Sequence, residues 1–274
     1  MSDVEQLLAE LGAGSLAQLR SGLEQLAAAV SSRRPLHSVE DLAVAGVRVR
    51  TYRPGDGARP LLLWCHGGGY VSGSLDAIDP TCRELAARAD VDVVSVGYRL
   101  APEHPFPAGL DDCLAVASAL TPDAVGGDSA GGGLAAAVGQ RIAGLRAQVL
   151  LCPWLDATLG LPSVRRNSTA DGLSEQALRA FAALYTEHPA EPGASPLHAP
   201  DLGHAPPAVV VTAGLDPLRD DGERYVDRLR ADGRVAVVRR WENQVHGFPG
   251  MTSVTPAAAE SIQWAADELR ALLR

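Results

Sequence analysis

Lysine is absent from this sequence of 274 residues, and all 24 residues counted as lysine or arginine are arginines. A chain without lysine cannot form a Schiff base with a carbonyl substrate, cannot supply the lysine of a Walker phosphate loop and cannot use a serine–lysine mechanism. Any catalysis must therefore rest on other nucleophiles and bases.

Positive charge is scarce as well. The formal net charge is −9 and the isoelectric point is about 5.2, whereas nucleic-acid binding needs a basic surface. No apolar run approaches the roughly 18 residues of a membrane span. The first residues are acidic, where a secretion signal has basic ones. We therefore expect a cytoplasmic protein that binds neither nucleic acid nor a membrane.

Cysteine is rare and irregularly placed. The four cysteines (Cys65, Cys82, Cys113 and Cys152) show no CxxC spacing, and three of them lie in or beside apolar runs. In a cytoplasmic protein this pattern favours reduced, mostly buried thiols over disulfides.

What the chain does contain is an alternation of short apolar runs with helical patterns. The runs that predict strands cover residues 42–52 (a strand or a hairpin), 61–65, 91–96, 124–125, 149–152, 208–212 and 235–238. The patterns that predict helices cover residues 80–89, 130–143, 220–231 and 257–273. Such alternation is typical of an α/β fold with a mostly parallel, doubly wound sheet.

Two segments lie outside this alternation. Residues 1–35 contain the pattern of two short helices, broken near residues 12–14. Residues 157–205 contain one helical pattern, at 174–186, followed by a proline-rich stretch. An insertion of this length is too long for an ordinary connection. We predict a single catalytic domain over residues 1–274, with a cap formed by about 1–35 and about 157–205.

The stretch GGDSAGG, residues 126–132, places one serine among four glycines. Residues 127–131 fit the pattern Gly-x-Ser-x-Gly, in which Ser129 would occupy a strained turn between a strand and a helix. The pattern alone also fits a glycine-rich phosphate loop or a flexible loop. Its position between a predicted strand and a predicted helix favours a nucleophile elbow.

A second glycine cluster, His66-Gly67-Gly68-Gly69, follows the predicted strand at 61–65. An acyl-transfer enzyme needs backbone N–H donors for an oxyanion. The residue after the nucleophile, here Ala130, supplies one of them, and a loop of the HGGG type supplies the others. The two clusters together therefore indicate acyl transfer more strongly than either one alone.

A serine nucleophile needs an acid and a base downstream of it. His246 follows the last predicted strand and precedes the last predicted helix, which is the expected place for the base. Asp216 follows the strand at 208–212, whereas Asp220 and Asp221 fall in the first turn of a predicted helix, a common capping position. We therefore favour Asp216 as the acid.

These motifs, in this order, resemble the hormone-sensitive-lipase family of α/β-hydrolases, in its bacterial carboxylesterase branch. The matching stretches are HGGGYVSG at 66–73, YRLAPEHPFPAGLDD at 98–112, GGDSAGG at 126–132, PPAVVVTAGLDPLRD at 206–220 and HGF at 246–248. The resemblance implies an eight-stranded α/β-hydrolase sheet with a small helical cap. It also implies hydrolysis of short-chain carboxylic esters, with no cofactor or metal.

The resemblance also assigns roles to individual residues. Ser129 would be the nucleophile, His246 the base and Asp216 the acid that orients it. Gly67, Gly68 and Ala130 would form the oxyanion hole. The substrate would be a small-molecule ester, and a homodimer is compatible with the family although no residue pattern requires one.

The sequence departs from the family pattern in two places. Only residues 113–125 separate the DD of APEHPFPAGLDD from the serine motif, a shorter stretch than the family usually has, which leaves the shape of the pocket beside the elbow open. Gly133 stands where the family often has asparagine, and we expect little chemical effect.

Three other functions stay open on the residues alone. A different serine hydrolase (amidase, peptidase, lactonase or deacetylase) would use the same residues. A non-catalytic receptor on this fold would be expected to have lost the histidine, which is present. A lipase acting on long acyl chains would be expected to have more aromatic residues than the 4% found here and an exposed apolar lid.

Overall fold

The computed structural model describes residues 3–274, with residues 3–5 and 10 described by their backbone alone. Its strands are β1 (Ser38–Val44), β2 (Val47–Arg53), β3 (Leu61–Cys65), β4 (Asp92–Gly97), β5 (Ala124–Asp128), β6 (Ala147–Leu151), β7 (Ala208–Ala213) and β8 (Ala236–Trp241). Its helices are α1 (Asp3–Glu10), α2 (Leu16–Val30), α3 (Leu75–Ala89), α4 (Ala108–Leu120), α5 (Ala130–Gly139), α6 (Pro162–Arg166), α7 (Glu175–Tyr185), α8 (Arg219–Ala231) and α9 (Pro256–Leu272).

The strands form one eight-stranded sheet in the order β1-β2-β4-β3-β5-β6-β7-β8. β2 is antiparallel to both β1 and β4, and every other pairing is parallel. This is the α/β-hydrolase fold predicted from the motifs. Because the strands from β3 onward are parallel, their carboxyl ends meet at one edge of the sheet, where crevices for ligands form in open α/β sheets.

Helices cover both faces of the sheet and create two cores. Side chains alternate along β3, so Leu63 faces a core that includes Leu134 of α5, whereas Trp64 faces a core that includes Leu85 of α3 and Ile262 of α9. Burial on both faces explains why the central strands appear in the sequence as continuous apolar runs rather than as alternating ones.

The strand predictions are confirmed, and residues 42–52 prove to belong to the β1–β2 hairpin. Two helix boundaries differ from prediction by more than one residue. α3 begins at Leu75, ahead of the predicted start at residue 80, because Ser74 caps it by accepting a hydrogen bond from the Ala77 N–H at 3.2 Å. α5 ends at Gly139 instead of residue 143. The patterns did not predict α4 or α6.

The two segments outside the strand–helix alternation contribute α1, α2, α6 and α7. α1 packs against α7, so the two segments contact each other, and α2 packs against α3. Their assignment to a cap, with these boundaries, stays a prediction. None of the helices between residues 3 and 274 combines the length and the apolar composition that a membrane crossing requires.

Candidate active site

Ser129 lies on the sharp turn between β5 and α5, with backbone angles φ 53° and ψ −123°. A positive φ is strained for a residue with a side chain, and close packing holds this turn in place. A Cβ atom on Gly127 would lie 2.2 Å from the Gly131 carbonyl oxygen, and one on Gly131 would lie 2.1 Å from the Cys65 carbonyl oxygen. The glycines on both sides of the serine are therefore required by steric packing.

The turn brings Ser129 into contact with the predicted base and acid. His246 Nε2 lies 2.8 Å from Ser129 Oγ, and His246 Nδ1 lies 2.8 Å from Asp216 Oδ2. Asp216 is fully buried just beyond β7, where its second oxygen accepts a hydrogen bond from the Leu218 N–H at 2.8 Å. With Nδ1–H donating to Asp216, Nε2 is free to accept the serine proton.

The neighbouring aspartates that the sequence left as competitors are engaged elsewhere. Asp220 accepts a hydrogen bond from the Ser163 N–H and pairs with Arg219 at 2.8 Å. Asp221 is buried and accepts hydrogen bonds from two backbone N–H groups of the segment after β6, at 2.8 and 2.9 Å. Asp216 is the one of the three that contacts the histidine.

Two opposing effects act on the pKa of His246. Burial lowers it, while the carboxylate of Asp216, through its charge and its hydrogen bond, and the charge of Asp128 raise it. The net shift of the His246 pKa is upward. The site thus stabilises the imidazolium that would form when the histidine takes a proton.

The HGGG loop follows β3 and lies beside Ser129. Gly68 and Gly69 have φ values of 123° and 63°, which favour glycine. A Cβ on Gly68 would lie 2.2 Å from the Ser72 carbonyl oxygen. The loop is tied down by Ser72, whose N–H and hydroxyl both donate to the Gly68 carbonyl oxygen, at 2.9 and 2.7 Å.

His66 holds the start of this loop. Its ring stacks on Tyr98 with centroids 4.2 Å apart, and its Nδ1 lies 2.8 Å from the Gly67 carbonyl oxygen. Tyr98 donates its hydroxyl to the His66 carbonyl oxygen at 2.7 Å. Burial lowers the pKa of His66 to about 4, so the ring is neutral near pH 7 and shapes the loop without adding charge.

Ala130 is the first residue of α5, and no side chain caps this helix start. The first N–H groups of a helix lack partners within the helix, and they carry the positive end of its dipole. The predicted oxyanion residues therefore lie on two segments next to Ser129. Ala130 begins α5 directly after the serine, and Gly67 and Gly68 belong to the HGGG loop.

Asp128 has a place that the sequence did not predict. Its side chain bonds to Trp64 in β3, whose Nε1–H donates to Oδ1 at 3.2 Å. Burial raises the pKa of Asp128 to about 6, although the hydrogen bonds from Trp64 and from the Gly67 backbone act in the opposite direction. The carboxyl group thus joins the elbow to the strand and loop beside it.

A cavity of about 280 Å³ opens above Ser129 and His246. Its walls are mostly apolar and come from α2, α3, α7, the segment before α7 and the turn after His246. The wall residues include Leu23, Leu26, Ala27, Val30, Ala77, Ile78, Thr81, Leu173, Phe181, Pro249 and Met251. The residues of α2 and α3 were missed, because an apolar helix face does not by itself reveal what it covers.

The sequence was compared with known proteins. Residues 62–250 match the sequence profile of the family described as alpha/beta hydrolase fold. The chain belongs to this α/β-hydrolase family. Esterase LipI of Mycobacterium tuberculosis is 39% identical over 273 residues, covering 88% of this chain and 85% of LipI. Carboxylesterase NlhH of the same organism is 41% identical over 224 residues, covering 74% of this chain and 70% of NlhH.

A solved structure agrees with this assignment. The hyperthermophilic esterase from the archaeon Pyrobaculum calidifontis superimposes with a TM-score of 0.90 at 33% identity, covering 100% of this chain and 99% of that one. The resemblance to the hormone-sensitive-lipase carboxylesterases is thus confirmed.

The short segment 113–125 does not shape the pocket of this α/β-hydrolase. It forms the end of α4, the connection to β5 and the start of β5, and none of its residues lines the cavity. Gly133 is tightly enclosed instead: a Cβ there would lie 2.4 Å from the Trp154 carbonyl oxygen and 2.4 Å from the Tyr70 hydroxyl. Asparagine could not fit at this position unless these groups moved.

Proposed function

We propose that this α/β-hydrolase is a serine carboxylesterase that hydrolyses short-chain carboxylic esters through Ser129, His246 and Asp216. Its class, carboxylic ester hydrolase, follows from relatives named esterase and carboxylesterase at 39% and 41% identity. The observation that carries the mechanism is the pair of 2.8 Å contacts that link the three side chains beneath an apolar cavity.

The proposed reaction begins with attack of Ser129 Oγ on the ester carbonyl carbon while His246 Nε2 takes the serine proton. The carbonyl oxygen becomes an oxyanion, which the N–H groups of Gly68 and Ala130 stabilise together with that of Gly67, which also donates to Asp128. Removal of a single donor of this kind costs roughly 10²–10³-fold in rate in other enzymes. Breakdown of the intermediate expels the alcohol, to which His246 returns the proton.

The second half releases the acid. Water attacks the acyl-enzyme carbonyl carbon, and His246 accepts a proton from the water. The tetrahedral intermediate collapses, the bond to Ser129 Oγ breaks, and the histidine returns the proton to the serine. Asp216 keeps the imidazole in the required tautomer and stabilises its charged form in both halves.

The size of the cavity supports short substrates. Pockets for drug-sized ligands span roughly 300–1,000 Å³, and the cavity of about 280 Å³ lies just below that range. Its apolar walls, to which α2 and α7 contribute, would favour alkyl groups through the hydrophobic effect.

The experiment that tests this function is hydrolysis of p-nitrophenyl esters from acetate to palmitate, by the wild-type protein and by Ser129→Ala. We expect activity to peak at short chains. Removal of a triad serine costs about 10⁶-fold in kcat in subtilisin, so we expect Ser129→Ala to lose at least about 10⁴-fold.

Ser118→Ala is the matched control, because Ser118 is exposed on α4. It should keep wild-type rates. If Ser129→Ala kept more than a tenth of the activity, Ser129 would not be the nucleophile. Peak activity on palmitate would instead indicate a lipase.

A further inference from the structure

The charged residues that line the cavity above Ser129 are not balanced in sign. Across residues 3–274, Asp128 is the one acidic residue that lines it, and none of the lining residues is an arginine. Because the chain has no lysine, arginine is its only strongly basic side chain. The cavity therefore offers a carboxylate but no strong cation.

The two histidines in the cavity do not compensate for this carboxylate. His66 is neutral near pH 7 because burial lowers its pKa to about 4. His246 must be neutral to accept the serine proton, and when it is protonated, Asp216, 2.8 Å away, balances its charge. Neither ring supplies an uncompensated positive charge to a bound ligand.

Asp128 is held in place by neutral groups alone. Trp64 Nε1–H donates to Asp128 Oδ1 at 3.2 Å. Asp128 Oδ2 lies against the Gly67 backbone, since a Cβ atom added to Gly67 would be 2.4 Å from this oxygen. Between residues 3 and 274, no arginine forms an ion pair with Asp128. Above a pKa of about 6, the group is an anion; the charge of His246 lowers this pKa, and no arginine in the described part of the chain neutralises the carboxylate.

We propose that Asp128 is a specificity-determining residue, which makes the cavity accept uncharged esters and reject esters that carry a second, free carboxylate. The inference rests on the proposed ester hydrolysis. Burying an anion costs a large desolvation energy unless a counter-charge meets it. In this cavity an anionic substrate would meet no positive counter-charge and would meet the like charge of Asp128. Repulsion between like charges at a binding site weakens binding of the anionic ester relative to the uncharged one.

The test compares dimethyl succinate with monomethyl succinate, which have nearly the same length and differ by one negative charge. Hydrolysis is followed in a pH-stat at pH 8, where Asp128 is ionised. We expect kcat/KM of the wild-type protein to favour the dimethyl ester by at least about 30-fold. In Asp128→Asn, which keeps the size of the side chain, the preference should fall at least about fivefold.

Asp227→Asn is the matched control, since it removes the same charge from an exposed position on α8. It should keep the wild-type preference, because solvent screens exposed charges. A structural role of Asp128 would lower the rates on both esters equally, whereas the proposal requires the ratio to change. Asp128→Thr, checked for folding by circular dichroism, provides a second uncharged variant.

Two results would overturn the inference: wild-type protein that hydrolyses both esters within about threefold, or folded Asp128 variants that keep the wild-type ratio. Failure of the proposed function looks different, because the wild-type protein would then hydrolyse neither dimethyl succinate nor p-nitrophenyl butyrate.

Discussion

At the scale of single residues, His246 shows how opposing electrostatic effects set up a base. Burial alone would lower its pKa, yet the carboxylates of Asp216 and Asp128 outweigh burial and raise it. The charged form of the ring is the one favoured by this environment. The histidine therefore holds its proton to a higher pH than an isolated imidazole would.

This shift predicts the acid limb of the pH–rate profile. Because only neutral His246 can accept the serine proton, kcat/KM should fall as pH drops through a midpoint above 6.5, the ordinary histidine value. Asp216→Asn should move the midpoint to lower pH, since it removes a carboxylate that raises the pKa. It should also lower kcat by roughly 10⁴-fold, the loss seen for the equivalent change in trypsin.

Rates of p-nitrophenyl butyrate hydrolysis between pH 5 and 9 measure both effects. Asp227→Asn serves again as the control and should leave the profile in place. A wild-type midpoint at or below 6.5 would contradict the upward shift of the His246 pKa. A midpoint that Asp216→Asn does not move would contradict the assignment of His246 and Asp216.

At the scale of elements, α2 is attached to the rest of the molecule in an unusual way. It has no fully buried side chain. Arg20 fixes its first half by donating to the carbonyl oxygens of Val71 and Ala101, at 2.9 and 3.2 Å, and by pairing with Glu103 at 2.8 Å. At its end, the Val30 carbonyl oxygen accepts a hydrogen bond from the Ser253 N–H at 3.0 Å. A helix that forms a cavity wall is thus held by polar contacts near its two ends in addition to its packing against α3.

We expect Arg20→Ala to loosen α2 without unfolding the protein. Loss of these contacts should speed hydrogen exchange of the α2 amides by roughly tenfold, because elements with little buried surface open locally. The midpoint of thermal unfolding should change by less than about 2 °C, since the exposed pair with Glu103 adds little to global stability.

Hydrogen exchange with mass spectrometry resolves the α2 peptides from the rest of the chain. Arg165→Ala, which removes an exposed arginine from α6, should leave their exchange unchanged. Unaltered α2 exchange in Arg20→Ala would show that Arg20 does not anchor this helix.

At the scale of the whole molecule, the two cores enclose all four cysteines. Cys65 and Cys113 lie in one core, Cys82 and Cys152 in the other, and all four are free and buried. Burial raises the pKa values of the Cys82, Cys113 and Cys152 thiols well above the ordinary value. Reduced, buried thiols are what the cysteine pattern predicted.

Buried thiols with raised pKa values should be unreactive in the native protein. With Ellman's reagent at pH 8, we expect less than about one equivalent of thiol per native chain to react within minutes. All four thiols should react after unfolding in guanidinium chloride. A sample reduced beforehand and desalted should give the same counts. Fewer than four thiols in the unfolded, unreduced sample would reveal a disulfide and contradict the structure.

Much of the fold and of the site was predictable because its signals are local. Central strands buried on both faces produce continuous apolar runs, and the turn at Ser129 requires glycines at 127 and 131 because a Cβ would collide with backbone. The HGGG loop and His246 could be placed because each follows a strand whose carboxyl end lies at the same edge of the sheet.

The sequence by itself thus determined the α/β class, the strands and the residues proposed to carry the chemistry, because short-range patterns encode them. Only the tertiary structure decided which surfaces enclose the serine. The cavity walls of α2 and α3 and the contact between Asp128 and Trp64 join residues far apart in the chain. The sequence patterns of these residues indicate an apolar helix face or a polar turn. Which residues they contact is determined only by the tertiary packing.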